Sequence, residues 1–159
     1  MKCNKIKVKT YGISIAIALV VGGLSALFTN MGMHNYRLVE KPALTPPEIV
    51  FPIVWSILYT FMGVSAARVW IAYEGKGRSG GLLIYLIQLI VNFFWSVFFF
   101  NLQFYGLSFF WLLFLWVLVL IMIISFSKTD KIAAYLQIPY LLWLTFAGYL
   151  NFMVWVLNS

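Results

Sequence analysis

Five runs of mainly apolar residues, at 11–31, 51–73, 81–103, 107–127 and 132–157, follow one another with short breaks between them. A helix that crosses a bilayer needs about 20 such residues, and each run is long enough. Lipid offers no water to a free backbone N–H or C=O, so a spanning segment must bond to itself or close into a barrel. Barrel strands would read as segments of about 10 residues of alternating polarity, and these runs do not alternate. The expected fold class is therefore all-α: an integral membrane bundle of five transmembrane helices, with 1–159 as one domain. Charged residues make up only 9% of the chain, too few to cover a water-soluble globule of this size.

Short connections make successive helices antiparallel neighbours. Glu74 to Gly81 reads as a glycine-rich turn, Phe104-Tyr105-Gly106 as a minimal link, and Ser127 to Lys131 as a small charged loop. Lys2, Lys5, Lys7 and Lys9 precede the first run, as in a signal peptide. That run is too long for a cleaved signal and lacks a small-x-small site, so it is expected to stay as the first span.

The placement of the eleven Lys and Arg residues predicts orientation. Lys2, Lys5, Lys7, Lys9, Lys76, Arg78, Lys128 and Lys131 fall on one side of the bundle, and only Arg37 and Lys41 on the other. Arg68, late in the second span, can snorkel to the richer side. Excess basic residues mark the cytoplasmic face, which puts the N-terminus inside and the C-terminus outside, in what is expected to be a bacterial cell membrane. Basic residues placed this way call for a lipid bilayer as partner, not nucleic acid.

The one long polar connection covers 32–50, and Pro42, Pro46, Pro47 and Pro52 all lie within or just after it. Proline lowers the entropy lost when a segment orders, which suits a lid. Tyr36, Arg37, Lys41, Pro42, Pro46 and Pro47 are its candidate residues.

The helix faces suggest what the lid covers. Ser14, Ala18, Gly22 and Ala26 form an i, i+4 stripe on the first span, and Gly63 and Ala67 a shorter one on the second. Small residues of this kind let membrane helices approach. Gln88, Asn92, Trp95, Ser96, Phe99 and Gln103 fall near one face of the third. Amides inside a span should point away from lipid, either as glue between helices or as anchors in a pocket. Trp55, Tyr59 and Met62 share a face on the second span; Pro139, Trp143, Ala147 and Leu150 share one on the fifth. Three aromatic faces with a few polar groups suit a flat apolar ligand. Pro139 should bend the fifth span by removing a helical hydrogen bond. Trp70, Trp111 and Trp155 lie near span ends, where indoles settle at the headgroups.

Catalytic and metal motifs are missing from the sequence. His34 is the single histidine and Cys3 the single cysteine, so no metal site is expected. The spans hold no Asp or Glu for a proton relay, and no phosphate-binding or nucleophile motif occurs.

Four ordered segments resemble one family. They are Leu38-x-x-Lys41-Pro42-x-x-x-Pro46-Pro47; Phe51-Pro52-x-Val54-Trp55-x-x-Leu58-Tyr59-x-x-Met62-Gly63; Asn92-x-x-Trp95-x-x-x-Phe99-Phe100; and Pro139-Tyr140-x-x-Trp143-x-x-Phe146-Ala147-x-x-Leu150-Asn151. Together they are similar to TspO/MBR, the tryptophan-rich sensory protein and translocator protein family, over nearly the whole chain. The resemblance implies a five-helix bundle, commonly a homodimer, that binds porphyrins, haem-like tetrapyrroles or drug-like aromatic molecules at its loop-facing end. It implies ligand contacts at Trp55 and Trp143 and pocket or lid positions at Tyr36, Asn92, Trp95 and Ala147; with Tyr59, Phe99, Phe146 and Leu150 from the same helices these make up the expected ligand site, with no obligatory cofactor. Trp55 and Trp143 match the family tryptophans implicated in light-dependent porphyrin breakdown. There are departures: Asn35-Tyr36 stands where members often have Trp-Tyr, and Leu44 where many have Trp. Phe152 takes the Tyr position of the animal sterol pattern with no basic residue after it, which speaks against sterol recognition through that pattern.

The expected function is a membrane sensor or regulator that binds tetrapyrroles under the first loop, with Arg37 and Lys41 available to ligand carboxylates. Passive transport of the same ligands is the alternative. A light-dependent enzyme using Trp55 and Trp143 is the third reading.

Overall fold

The computed structural model of the protein describes the backbone of residues 2–72 and 76–159 and the side chains of 6–72 and 80–159. Its helices are α1 (Lys2–Leu38), α2 (Val50–Ala72), α3 (Lys76–Ser96), α4 (Tyr105–Ser127), α5 (Lys131–Tyr135) and α6 (Ile138–Leu157), with a π-helical segment, Val97–Asn101, closing α3. No strand occurs among the described residues. Five helical stretches are long and apolar enough to cross a membrane, α5 and α6 together forming the last.

Three boundaries differ from the sequence reading. First, α1 has 37 residues, about 55 Å at 1.5 Å per residue, against a hydrocarbon core of about 30 Å. It begins among the N-terminal lysines and ends at Leu38, so Tyr36 and Arg37 sit in its last turn and the lid shrinks from 32–50 to 39–49. No proline lies between residues 31 and 38, and Gly32 alone costs a helix only about 1 kcal/mol, so the helix runs on past the apolar stretch. Second, α3 already begins at Lys76, inside the expected glycine-rich turn; Glu74 and Gly75 of that turn lie outside the described residues. Third, Pro139 does not bend a continuous helix. The chain breaks at Leu136-Gln137 and restarts at Ile138, placing Pro139 in the first turn of α6, where a backbone N–H would have no partner within the helix.

The small-residue stripes pack α1 on α2. Ser14 Oγ donates to the Gly63 carbonyl oxygen at 2.8 Å. A Cβ at Gly63 would lie 2.5 Å from the Ile15 Cα, so the two backbones touch. Near the other end of α1, a Cβ at Gly32 would lie 2.3 Å from the Phe100 carbonyl oxygen. Ser65 Oγ ties α2 to α5 through the Ala133 carbonyl at 2.7 Å. Trp111 Nε1 ties α4 to α3 through the Val91 carbonyl at 2.7 Å; its indole serves a neighbouring helix rather than a headgroup.

At the opposite end from the lid, Arg68 pairs with Asp130 (2.8 Å), and Asp130 caps α5 by accepting from Ala133 N–H at 2.8 Å. Burial raises the Asp130 carboxyl, but the Arg68 hydrogen bond and the capped N–H outweigh it and hold the group below the usual carboxylate range.

Candidate functional site

The α1–α2 seam is tight only over its lower half. Above Ser14 and Gly63 it passes Gly22, where a Cβ would lie 2.5 Å from the Tyr59 ring. Beyond that contact the helices part. A cavity of about 470 Å³ opens between α1, α2 and α3 beneath residues 39–49, within the range of about 300–1,000 Å³ typical of small-molecule sites.

Its walls are uneven in character. From α1 come Ser25, Ala26, Thr29, Asn30, Met33 and Tyr36. Phe51, Pro52, Trp55 and Tyr59 come from α2, and Asn92, Trp95 and Ser96 from α3, with Phe100 following on the π segment. Arg37 and Glu48 stand at the mouth with Ile49. The aromatic part is one continuous ring array. Trp55 lies 5.6 Å from Tyr59, 6.2 Å from Trp95 and 6.1 Å from Tyr140. Trp95 stacks on Phe99 at 5.7 Å. Tyr36 packs on Phe99 and Phe100 at 5.6 and 5.2 Å. The π segment inserts an extra residue per turn, which turns both Phe99 and Phe100 inward; each is buried.

The polar stripe on α3 resolves into glue and anchor, residue by residue. Tyr140 OH accepts from Asn92 Nδ2 (3.1 Å) and donates to Gln88 Oε1 (2.9 Å). Trp95 Nε1 donates to Asn151 Oδ1 at 3.1 Å, Ser108 Oγ to the same oxygen at 3.0 Å, and Asn151 Nδ2 to the Tyr105 carbonyl at 2.8 Å. These bonds tie α3 to α6 and α4 and fix the Trp95 indole. Asn92 differs: its Oδ1 is buried without a partner, and the residue lines the cavity. A buried acceptor of this kind carries a desolvation cost that a ligand N–H or hydroxyl would relieve. Gln103 does not belong to the stripe. It is exposed, at φ 56°, in the link after the π segment.

The sequence-predicted site divides in two. Tyr36, Trp55, Tyr59, Asn92 and Trp95 line the cavity, and Phe99 backs it through Trp95 and Tyr36. Trp143, Phe146, Ala147 and Leu150 do not line it. Trp143 packs on Phe51 (6.0 Å) and Phe146 (5.6 Å), so it does not share a surface with Trp55. The third wall is α1 and not the fifth span. Two large α6 side chains, Tyr140 and Leu144, are each 1% exposed, Tyr140 packing against α3 through Asn92 and Gln88, whereas Gly22, Ser25 and Ala26 on α1 line the gap. Asn30 and Met33 continue the register of Ser14, Ala18, Gly22 and Ala26. That run of small and polar residues was the available signal for the missed wall.

The lid is short and pinned. Thr45 N–H and Oγ1 both donate to the Pro42 carbonyl (3.0 and 2.8 Å), and Val50 N–H donates to Pro47 O at 2.9 Å where α2 begins. Asn158, at the end of α6, accepts from Glu40 N–H (3.0 Å) and donates to Glu40 O (2.9 Å). Lys41 Nζ lies 4.6 Å from the Tyr36 ring centroid, a cation–π contact behind the cavity wall. Arg37 grips Glu48 with two nitrogens: Nη2–Oε2 at 2.7 Å, and Nε to both carboxylate oxygens at 3.1 and 3.2 Å. That hydrogen bond holds the Glu48 carboxyl below its ordinary range. Lys41, Pro42, Pro46 and Pro47 shape the loop without lining the cavity.

The described residues contain no group of three or more His, Cys, Asp or Glu that could hold a metal. The sequence model of the TspO/MBR family matches residues 14–156. The Tryptophan-rich protein TspO of Chlorobaculum tepidum is 32% identical over 96% of this chain and 98% of its own. That of Archaeoglobus fulgidus is 34% identical over 92% and 95%. The Tryptophan-rich sensory protein of Cereibacter sphaeroides is 35% identical over 77% and 76%, and the Translocator protein of Sus scrofa 30% over 78% and 75%.

Proposed function

The chain belongs to the TspO/MBR family of integral membrane proteins, and from that premise we propose that it binds a flat, apolar tetrapyrrole-type ligand in the cavity between α1, α2 and α3, as a membrane sensor or regulator. The observation that carries the reading is the ring array of Trp55, Tyr59, Trp95, Phe100 and Tyr36 around about 470 Å³, with an unpartnered acceptor, Asn92 Oδ1, among its lining atoms. Aromatic faces offer large apolar area and preferred stacking geometry to a conjugated ring.

The floor favours binding over passive passage. Below the cavity the α1–α2 seam closes at Gly22/Tyr59 and at Ser14/Gly63, and the Asn92–Tyr140–Gln88 bonds close the α3 side. Of the two tryptophans Trp55 and Trp143, light-driven breakdown of a bound porphyrin would here involve Trp55, because Trp143 is off the cavity wall. The expected orientation, N-terminus in the cytoplasm, and the expected homodimer are part of the same proposal. The lid-distal end carries Lys128, Lys131 and the Arg68–Asp130 pair, which supports placing it inside.

Titration with protoporphyrin IX should quench tryptophan fluorescence saturably in the purified protein. Ala26→Trp places an indole in the cavity from a position that is exposed and outside the core, and is expected to abolish that binding. Saturable quenching of unchanged affinity in Ala26→Trp would place the ligand elsewhere. The mass of the detergent-solubilised particle reads the oligomer.

A further inference from the structure

The cavity mouth is electrically self-satisfied. Of the described residues that line it, Arg37 is the only cation and Glu48 the only acid, and they hold each other by a bidentate pair. They come from opposite sides: Arg37 from the last turn of α1, Glu48 from the end of the loop just before α2. The pair therefore closes the rim between them. Their side chains are 61% and 42% exposed, so water competes for both, and such a pair adds little net stability. A ligand carboxylate arriving at this rim would find the one guanidinium fork already occupied.

We propose that Arg37 and Glu48 form a carboxylate-exchange latch: a ligand with a carboxylate at its rim takes the Arg37 fork from Glu48 and frees the α2 end of the lid. This rests on the cavity being the ligand site. The exchange is nearly balanced, because one bidentate guanidinium–carboxylate pair replaces another of the same kind. Glu48 moves only from a half-exposed position into water, so no charge is left buried. The other loop anchors are untouched, since Glu40 stays bonded to Asn158 and Thr45 to Pro42. Opening is thus confined to the segment near Glu48. The latch selects ligands that combine a flat apolar body with an acidic edge; a neutral body of the same shape fills the cavity without turning it.

Two probes separate these cases: protoporphyrin IX and its dimethyl ester, titrated by tryptophan quenching on the full chain in lipid nanodiscs. Glu48→Gln removes the internal competitor and is expected to tighten the diacid about two- to fivefold, the range that an exposed ion pair spans, and to leave the ester unchanged. Arg37→Gln is expected to weaken the diacid and leave the ester unchanged. Equal diacid affinity in the wild type and Glu48→Gln, or an ester shift equal to the diacid shift, overturns the latch while the pocket stands. The absence of saturable quenching by either compound overturns the pocket, and the latch with it.

Discussion

Gly63 is the point at which one methyl group tests the packing argument. A Cβ there would meet Ile15 Cα at 2.5 Å, Ile15 N at 2.9 Å and Ser14 O at 3.0 Å. Carbon pairs are best placed at about 3.5–4.0 Å, so the overlap is about 1 Å or more. The obstacle is helix backbone, which cannot rotate aside as a side chain would. Overpacking of this kind costs about 1–3 kcal/mol. Parting the helices also weakens the Ser14–Gly63 bond, worth about 0.6 kcal/mol between membrane helices. Alanine returns up to about 1 kcal/mol of helix propensity. The net expectation for Gly63→Ala is a loss of about 1.5 kcal/mol, or a Tm about 3–6 °C lower for a chain of this size. Gly23→Ala is the matched control: nothing lies within 4 Å of its Cβ, so it keeps the propensity gain without the clash. Thermal unfolding in detergent, followed by tryptophan fluorescence, compares the two. A Gly63→Ala protein that melts at or above Gly23→Ala would refute the backbone-contact account of the seam. The same variant should alter porphyrin affinity, since the seam forms the cavity floor.

Three further outcomes follow from the structure. Asn151→Leu should strand the buried Trp95 N–H at a cost of about 1–3 kcal/mol; a double-mutant cycle with Trp95→Phe should show positive coupling, and zero coupling would deny the 3.1 Å bond. Cys3 is the single thiol of the chain, so a membrane-impermeant maleimide should label it only after cells are opened; labelling of intact cells would reverse the orientation. Asp130 has a folded pKa below its ordinary value, so its stabilising contribution is present above the unfolded value of about 3.9 and is lost as pH falls through the folded one. Acid melting curves should show that loss in the wild type, and Asp130→Asn, which keeps a capping side chain, should remove this component.

Much of the cavity wall could be read from the residues because aromatic and amide side chains in a lipid-spanning helix have few places to go. Trp55, Tyr59, Asn92 and Trp95 had to face inward, and they do. The misplaced part was the partner of that face. Trp143, Ala147 and Leu150 have the same periodic signature as a pocket wall, but periodicity reports only that a face is buried, not what it is buried against. Tyr140 and Leu144, large and almost fully buried, turn the α6 face into packing. The small α1 residues, legible as a seam, became a wall only where the helices diverge.

The sequence by itself determined that this chain lives in lipid, that it crosses as five helical stretches, and which residues cannot face the bilayer. Those follow from solvation: an unpaired backbone group or an amide in hydrocarbon is too costly at any tertiary arrangement. Only the tertiary structure decided where α1 parts from α2, that Tyr36 and Arg37 end a helix instead of riding a loop, and that Glu48 meets Arg37 across the mouth. These depend on differences of an ångström or two in how helix surfaces fit, and such fits are set by volumes that different helices bring to one place.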